Sequence, residues 1–198
     1  MQYNGRMKTK PLTFLFALTF LFLFSGSVFG DDLQDGFDAY EPSLLEIPFE
    51  KLLRLAEQGQ APSQFRLGFY YKSIKKCEKA KQWMQTAIDQ GYPNAMEEMG
   101  VWYWRGECVS QNFKEAVRLF KHGANMKHPP AQYALGRMYY EGEGVPQNSI
   151  LAHSWFILGS INGYDTAVHW REKTRKLMTP SQIEKAQEMA RNWKPKTK

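Results

Sequence analysis

A repeated glycine frame constrains the fold of this chain more than any other feature of its sequence. Three segments place a small residue five positions before a glycine, Leu or Met directly before it, and Tyr three positions after it. In an α-helix these positions lie along one face, so each segment predicts an amphipathic helix with a close-contact point at the glycine. The segments are 63–71, 95–103 and 131–139, and their glycines are Gly68, Gly100 and Gly136.

Each of these helices is followed by signals for a second helix. In the second and third segments a turn containing Gly106 or Gly142 precedes apolar residues at three- and four-residue steps. A single helical hairpin cannot bury its own apolar face, so such hairpins stack on one another. The sequence therefore predicts an all-α protein, an α-α solenoid of stacked helical hairpins. The apolar residues are Ala116, Leu119 and Phe120 in one helix, and Ala152, Trp155 and Phe156 in the other.

The two flanks predict incomplete terminal units, which cover the ends of a solenoid. Residues 49–58 are typical of an unpaired second helix, and residues 167–177 of one more first helix. A last helix is predicted over 182–192, because Thr179-Pro180-Ser181 is a helix-start signal.

The third segment carries the pattern Ala-x-x-x-Leu-Gly-x-x-Tyr-x-x-Gly-x-Gly-Val from Ala131 to Val145. This pattern resembles the Sel-one-like repeat (SLR), a relative of the tetratricopeptide repeat (TPR). The resemblance implies a protein- or peptide-binding scaffold or adaptor, often in complexes at the cell envelope. The repeat domain is then 49–193, with repeats at about 61–92, 93–128 and 129–164 and capping helices over 165–193.

The N-terminal residues predict a signal peptide over 1–30. Arg6, Lys8 and Lys10 precede the apolar run 12–24, and Val28 and Gly30 are typical of residues before a cleavage site. We expect cleavage after Gly30 and a periplasmic or secreted protein, although an uncleaved anchor is the alternative. An acidic leader over 31–48 and a basic tail over 194–198 flank the repeat domain.

Removing residues 1–30 takes away three basic residues and no acidic one, which lowers the formal net charge from +6 to +3. So small a charge favours neither nucleic acid nor a membrane surface as a partner once the signal is removed. The two cysteines of the chain, Cys77 and Cys108, are expected to form a disulfide, because an even count in an exported protein favours pairing.

The sequence contains no recognisable catalytic, cofactor or metal motif. His122, His128, His153 and His169 lack the spacing of metal ligands, and Ser73-x-x-Lys76 lacks the companion motifs of penicillin-recognising enzymes. Some cysteine-rich, secreted proteins of the wider repeat family are known as weak β-lactam binders or hydrolases. The alternative function is therefore an envelope enzyme or modulator acting on peptidoglycan or β-lactams. A further alternative, an adaptor of the endoplasmic reticulum, lacks the expected C-terminal retention signal.

A candidate partner-binding wall follows from the frame, because the first helices of a solenoid line one concave wall. Aromatic and arginine side chains are favoured at the centres of interfaces. We expect Tyr71, Tyr103 and Tyr139 in the core, and the neighbouring aromatic residues on the wall unless they pack against adjacent helices. The candidate wall consists of Tyr70, Trp102 and Trp104, flanked by Arg66, Glu98 and Arg137.

Overall fold

The computed structural model of this chain describes residues 48–195. Within that range the chain forms helices and contains no strand, so the all-α prediction is confirmed. The predicted signal peptide, its cleavage site and most of the acidic leader lie outside the described residues. The helices are α1 Phe49–Glu57, α2 Ala61–Ser73, α3 Cys77–Asp89, α4 Pro93–Arg105, α5 Phe113–Asn125, α6 Pro129–Glu141, α7 Ser149–Ile161, α8 Asp165–Arg175 and α9 Pro180–Asn192.

Local sequence signals explain where the helices begin. The first helices α2, α4 and α6 carry proline at one of their first two positions, where the missing N–H costs nothing. The second helices α5 and α7 are capped by Asn112 and Asn148, whose side chains accept backbone N–H bonds from the first turn. Thr179 and Gln182 form a capping box at the start of α9.

The frame glycines allow the two helices of a hairpin to touch. A Cβ on Gly100 would lie 2.5 Å from the ring of Phe120, and one on Gly136 would lie 2.7 Å from the ring of Phe156. The aromatic residue of each second helix therefore occupies space that only glycine leaves open. This contact fixes α4 on α5 and α6 on α7.

Neighbouring hairpins stack along the chain, and each helix from α1 to α7 packs against the next. The central helix α4 contacts α3, α5 and α6, so it is enclosed on several sides. At the C-terminal end, α9 folds back onto α7 and completes the cap.

Two buried glutamines fasten successive units at their edges. Gln64 Nε2 donates to the carbonyl of Ala56 at 3.1 Å, and its Oε1 accepts from Gln90 Nε2 at 2.6 Å. Gln132 repeats the arrangement, donating to the carbonyl of Ala124 at 3.3 Å. Each amide therefore satisfies a carbonyl near the end of a preceding second helix. Met96 takes the equivalent position in the middle repeat and has no amide to offer.

The expected disulfide between Cys77 and Cys108 is present, with a Cα–Cα distance of 4.9 Å. It joins the start of α3 to the loop between α4 and α5, and therefore ties the first repeat to the second. Cys108 has φ +56°, and Gly144, its counterpart in the third repeat, has φ +70°. The cysteine thus holds a left-handed conformation that its counterpart reaches with glycine.

Candidate functional site

Three of the candidate wall residues retain exposed surface. Tyr70 is 41% exposed and its ring lies 4.7 Å from that of Phe49 in α1. Arg66 is half-buried, one turn before Tyr70 on α2. Trp104 is also half-buried, and its indole Nε1 donates to Glu143 Oε2 at 2.6 Å in the loop of the next repeat. These residues remain the candidate partner-binding surface.

The other three candidates are buried, so the expectation that they line an exposed wall is wrong. Trp102 has 0% exposed surface, Glu98 has 6% and Arg137 has 4%. The physical reason is that the central first helices are packed on several sides, which encloses α4 and α6 over most of their length. The frame tyrosines expected in the core, Tyr71, Tyr103 and Tyr139, are half-buried at its margin instead.

A partly buried ion cluster, which the sequence did not reveal, surrounds the buried Glu98. Lys72 Nζ at the end of α2 lies 3.0 Å from Glu98 Oε1 and 2.6 Å from Glu107 Oε2. The indole Nε1 of Trp102 donates to the same oxygen of Glu98. Arg105 completes the cluster at 3.4 Å from Glu107. The cluster therefore joins α2, α4 and the loop after α4.

The protonation equilibria of the cluster follow from these contacts. Burial lowers the pKa of Lys72, but the carboxylates of Glu98 and Glu107 outweigh it and raise that pKa above its ordinary value. Burial raises the pKa of Glu107, but the hydrogen bond and charge of Lys72, together with Arg105, bring it below its ordinary value. Both groups are therefore charged at neutral pH.

Glu97 differs from the other acids of the cluster. It is 8% exposed, and burial, reinforced by the negative charge of Glu98, raises its pKa to about 8. Among the residues that the structure describes, no hydrogen bond reaches its carboxyl group. Sequence reasoning missed this residue, although an acid at a frame position that carries Phe65 and Tyr133 in the other repeats was a visible signal.

Arg137 holds the C-terminal cap onto the third repeat. Its guanidinium lies 3.9 Å from the ring centroid of Trp170 in α8, and Nη2 lies 3.2 Å from Glu141. Its Nη1 donates to the hydroxyl of Tyr133 at 3.3 Å. This geometry gives Arg137 a packing role between α6 and α8.

His153 and Ser73 make hydrogen bonds within the helical fold, and His128 lies in a buried environment. His153 Nδ1 lies 2.7 Å from Thr174 Oγ1, which donates to the carbonyl of Trp170. Burial lowers the pKa of His128 to about 4, so this imidazole is neutral at physiological pH. The hydroxyl of Ser73 donates to the carbonyl of Tyr70 at 2.7 Å.

The described part of the chain contains no group of three or more His, Cys, Asp and Glu side chains that could hold a metal ion. None of the helices within 48–195 is long and apolar enough to cross a membrane. An open groove of about 390 Å³ lies between α3 and α4, lined by Lys81, Gln82, Gln85, Thr86, Met99 and Tyr103.

Comparison with known proteins gives three matches to the family model described as Sel1 repeat, at residues 61–92, 93–128 and 129–164. The chain is 31% identical over 130 residues to Chitin synthase regulatory factor 3 of Schizosaccharomyces pombe, covering 62% of this chain and 14% of that protein. It is 32% identical over 90 residues to putative sel1-like repeat-containing protein L21 of Acanthamoeba polyphaga mimivirus, covering 46% and 16%. The chain thus corresponds to less than a fifth of the length of either relative.

Two solved structures are also similar. A protective antigen of uropathogenic Escherichia coli strains with an SLR fold superposes with a TM-score of 0.67 at 28% identity, covering 71% of this chain and 31% of that one. A Sel1 repeat protein from Oxalobacter formigenes superposes with a TM-score of 0.56 at 27% identity, covering 62% of this chain and 95% of that one.

Proposed function

This chain belongs to the Sel1 repeat family, and we propose that it is a non-enzymatic scaffold that binds a protein or peptide partner in the periplasm or cell envelope. The observation that carries the proposal is that Tyr70, Arg66 and Trp104, on the first helices of successive repeats, keep part of their surface exposed. A solenoid presents such helices as one extended surface, and aromatic and arginine side chains are the usual anchors of interfaces. The relative Chitin synthase regulatory factor 3 supports an adaptor role, because its name describes regulation of another protein.

Two observations support a location outside the reducing cytosol. Disulfides persist in oxidising compartments, and this chain joins Cys77 to Cys108. The sequence of residues 1–30 has the basic start and apolar run of a signal peptide. Cell fractionation, followed by N-terminal sequencing of the exported protein, tests the location. Recovery of the mature chain from the cytosol with free thiols would contradict it.

The binding proposal is tested by affinity capture from envelope extracts with the wild-type chain and a Tyr70→Ala/Trp104→Ala variant. A partner identified by mass spectrometry is then purified and its affinity measured directly. We expect the double variant to weaken binding by about 2 kcal/mol or more, since truncated interface anchors cost this much. Leu177→Ala, which alters a residue that is 71% exposed, is the control and should leave binding unchanged.

Two outcomes would contradict the scaffold proposal. If the wild-type chain and the double variant bound the partner with equal affinity, Tyr70 and Trp104 would not be part of the binding surface. Turnover of a β-lactam or of peptidoglycan by the purified chain, lost in Ser73→Ala, would support the enzymatic alternative instead.

A further inference from the structure

One position of the repeat frame changes its chemistry in the middle repeat. In the first repeat Phe65 stacks on Tyr92 at 5.4 Å between ring centroids, and in the third repeat Tyr133 stacks on Tyr164 at 5.3 Å. The middle repeat has Glu97 in place of the first ring. An interior aromatic pair that stabilises both neighbouring repeats is therefore missing here, and a carboxyl group occupies the site.

His128 occupies the position that pairs with Glu97 in the repeat frame, but it does not provide a positive charge for Glu97. His128 takes the place of Tyr92 and Tyr164, because each of these residues donates its backbone N–H to the carbonyl five residues earlier. Burial lowers the pKa of His128 to about 4, so the imidazole carries no charge at neutral pH. Glu97 therefore gains no cation from the turn before α6.

The nearby cations are already engaged by other carboxylates. The charged groups that act on Glu97 are Glu98 and Arg105 from α4 and Lys72 from α2. Lys72 lies 3.0 Å from Glu98 and 2.6 Å from Glu107, and Arg105 also contacts Glu107. Within the described part of the chain, Glu97 is therefore left without a cation that is not already paired with Glu98 or Glu107. It has neither a close hydrogen-bond donor nor a cation of its own there, which favours its uncharged form.

We propose that Glu97 is a recognition site for a cationic side chain, arginine or lysine, presented by the bound partner. Glu97 keeps 8% of its surface exposed, and this surface includes its carboxyl oxygens, since neither is among the described polar atoms that are fully buried without a hydrogen bond. A guanidinium or ammonium group can therefore complete the hydrogen bonds of Glu97. This inference rests on the proposed scaffold function and names the chemistry that the partner must bring. It also explains why the middle repeat lacks the aromatic pair that is present in the first and third repeats.

The protonation of Glu97 provides a signature of this role. Because its pKa is about 8 in the free protein, a bound cation must favour the ionised form and release a proton. The affinity for a cation therefore rises with pH as Glu97 ionises. Between about pH 6 and pH 8 we expect an increase of roughly tenfold or more.

The test uses the full chain, labelled with ¹⁵N, and follows the indole resonances of Trp102 and Trp104 by NMR. The probes are N-acetyl-arginine amide and N-acetyl-citrulline amide, which has a similar size and shape but no charge. We expect saturable shifts with the arginine compound and none with the citrulline compound. Glu97→Gln should weaken the arginine response at least tenfold and abolish its pH dependence. Glu188→Gln, which removes an exposed carboxylate from α9, should leave the response unchanged.

Several outcomes would overturn the proposal: equal shifts with both probes, an undiminished response in Glu97→Gln, or no response at the highest soluble concentration of the arginine compound. Glu97→Gln removes a costly buried carboxyl group, so a melting curve should show that the variant is folded. Partner capture that depends on Tyr70 and Trp104 but not on Glu97 would refute this inference and leave the scaffold function intact.

Discussion

Removal of the Cys77–Cys108 disulfide should cost the folded protein about 3–4 kcal/mol. The two cysteines are 31 residues apart, and the loop-entropy relation for a closed loop of that length gives this value at room temperature. The variant of choice is Cys77→Ala/Cys108→Gly, because φ at residue 108 is +56° and glycine adopts this conformation without strain. Because glycine also relieves the backbone strain of the cysteine, by about 1–2 kcal/mol, the observed loss in this variant should be nearer ~2 kcal/mol. Lys72 still holds the loop through Glu107, so the variant should fold.

A second variant, Cys77→Ala/Cys108→Ala, separates backbone strain from the cross-link. Alanine in the left-handed conformation costs about 1–2 kcal/mol more than glycine and so retains the strain of the native cysteine. This variant should therefore be the least stable of the series and show the full loss of about 3–4 kcal/mol. The free energies of unfolding are measured by urea denaturation without reductant. Wild-type protein with added reductant should unfold near the alanine variant.

Two results would refute this reasoning. A loss below about 1 kcal/mol in the alanine variant would mean that the disulfide hardly restricts the unfolded chain. Equal stability of the glycine and alanine variants would mean that residue 108 is not held in a left-handed conformation.

Three further predictions concern packing and pH. Gly100→Ala should lose about 1–2 kcal/mol in urea unfolding, because its Cβ would lie 2.5 Å from a rigid ring. Gly68→Ala should lose clearly less, because its Cβ would meet the flexible end of Met84 at 3.0 Å and the carbonyl oxygen of Ala80 at 3.3 Å; equal losses would contradict this. Trp102→Ala should lose about 3–5 kcal/mol, clearly more than the half-buried Trp104→Ala, and the reverse order would contradict the burial described above. Because the pKa of His128 falls from 6.5 to about 4 on folding, the unfolded chain binds the proton more readily, so the free energy of unfolding should drop by up to about 3 kcal/mol between pH 6.5 and pH 4. His128→Asn should flatten this part of the stability profile, and an unchanged slope would show that the imidazole is not buried.

The helical frame was predictable because its signals are local. The glycine at position 100, the apolar steps around Phe120 and the asparagine cap at 112 all act within one hairpin, and spacing along the chain reports them directly. The solenoid then follows from the need of each hairpin to cover its apolar face.

Which of two adjacent side chains on a helix is buried could not be predicted from their spacing along the sequence. Trp102 and Tyr103 differ by about 100° around α4, and which of them is buried depends on how neighbouring repeats surround the helix. The ion cluster has the same origin, because Lys72 and Glu98 are 26 residues apart and meet only when two hairpins stack. The assignment of Trp102 to an open surface failed for this reason.

The alternation of Gln64, Met96 and Gln132 has a consequence for the mechanics of the array. Amide bonds fasten the second helix of one unit to the first helix of the next at two boundaries, but at the boundary between the first and second repeats a covalent sulfur bridge does this instead. When the chain is pulled from its ends, that boundary resists as long as the bridge is oxidised. Once the bridge is reduced, this boundary is held by side-chain packing and the Lys72 ion pairs, and we expect the first two repeats to separate there before the others do. We therefore expect the force that separates the first two repeats to depend on the redox state of the surroundings.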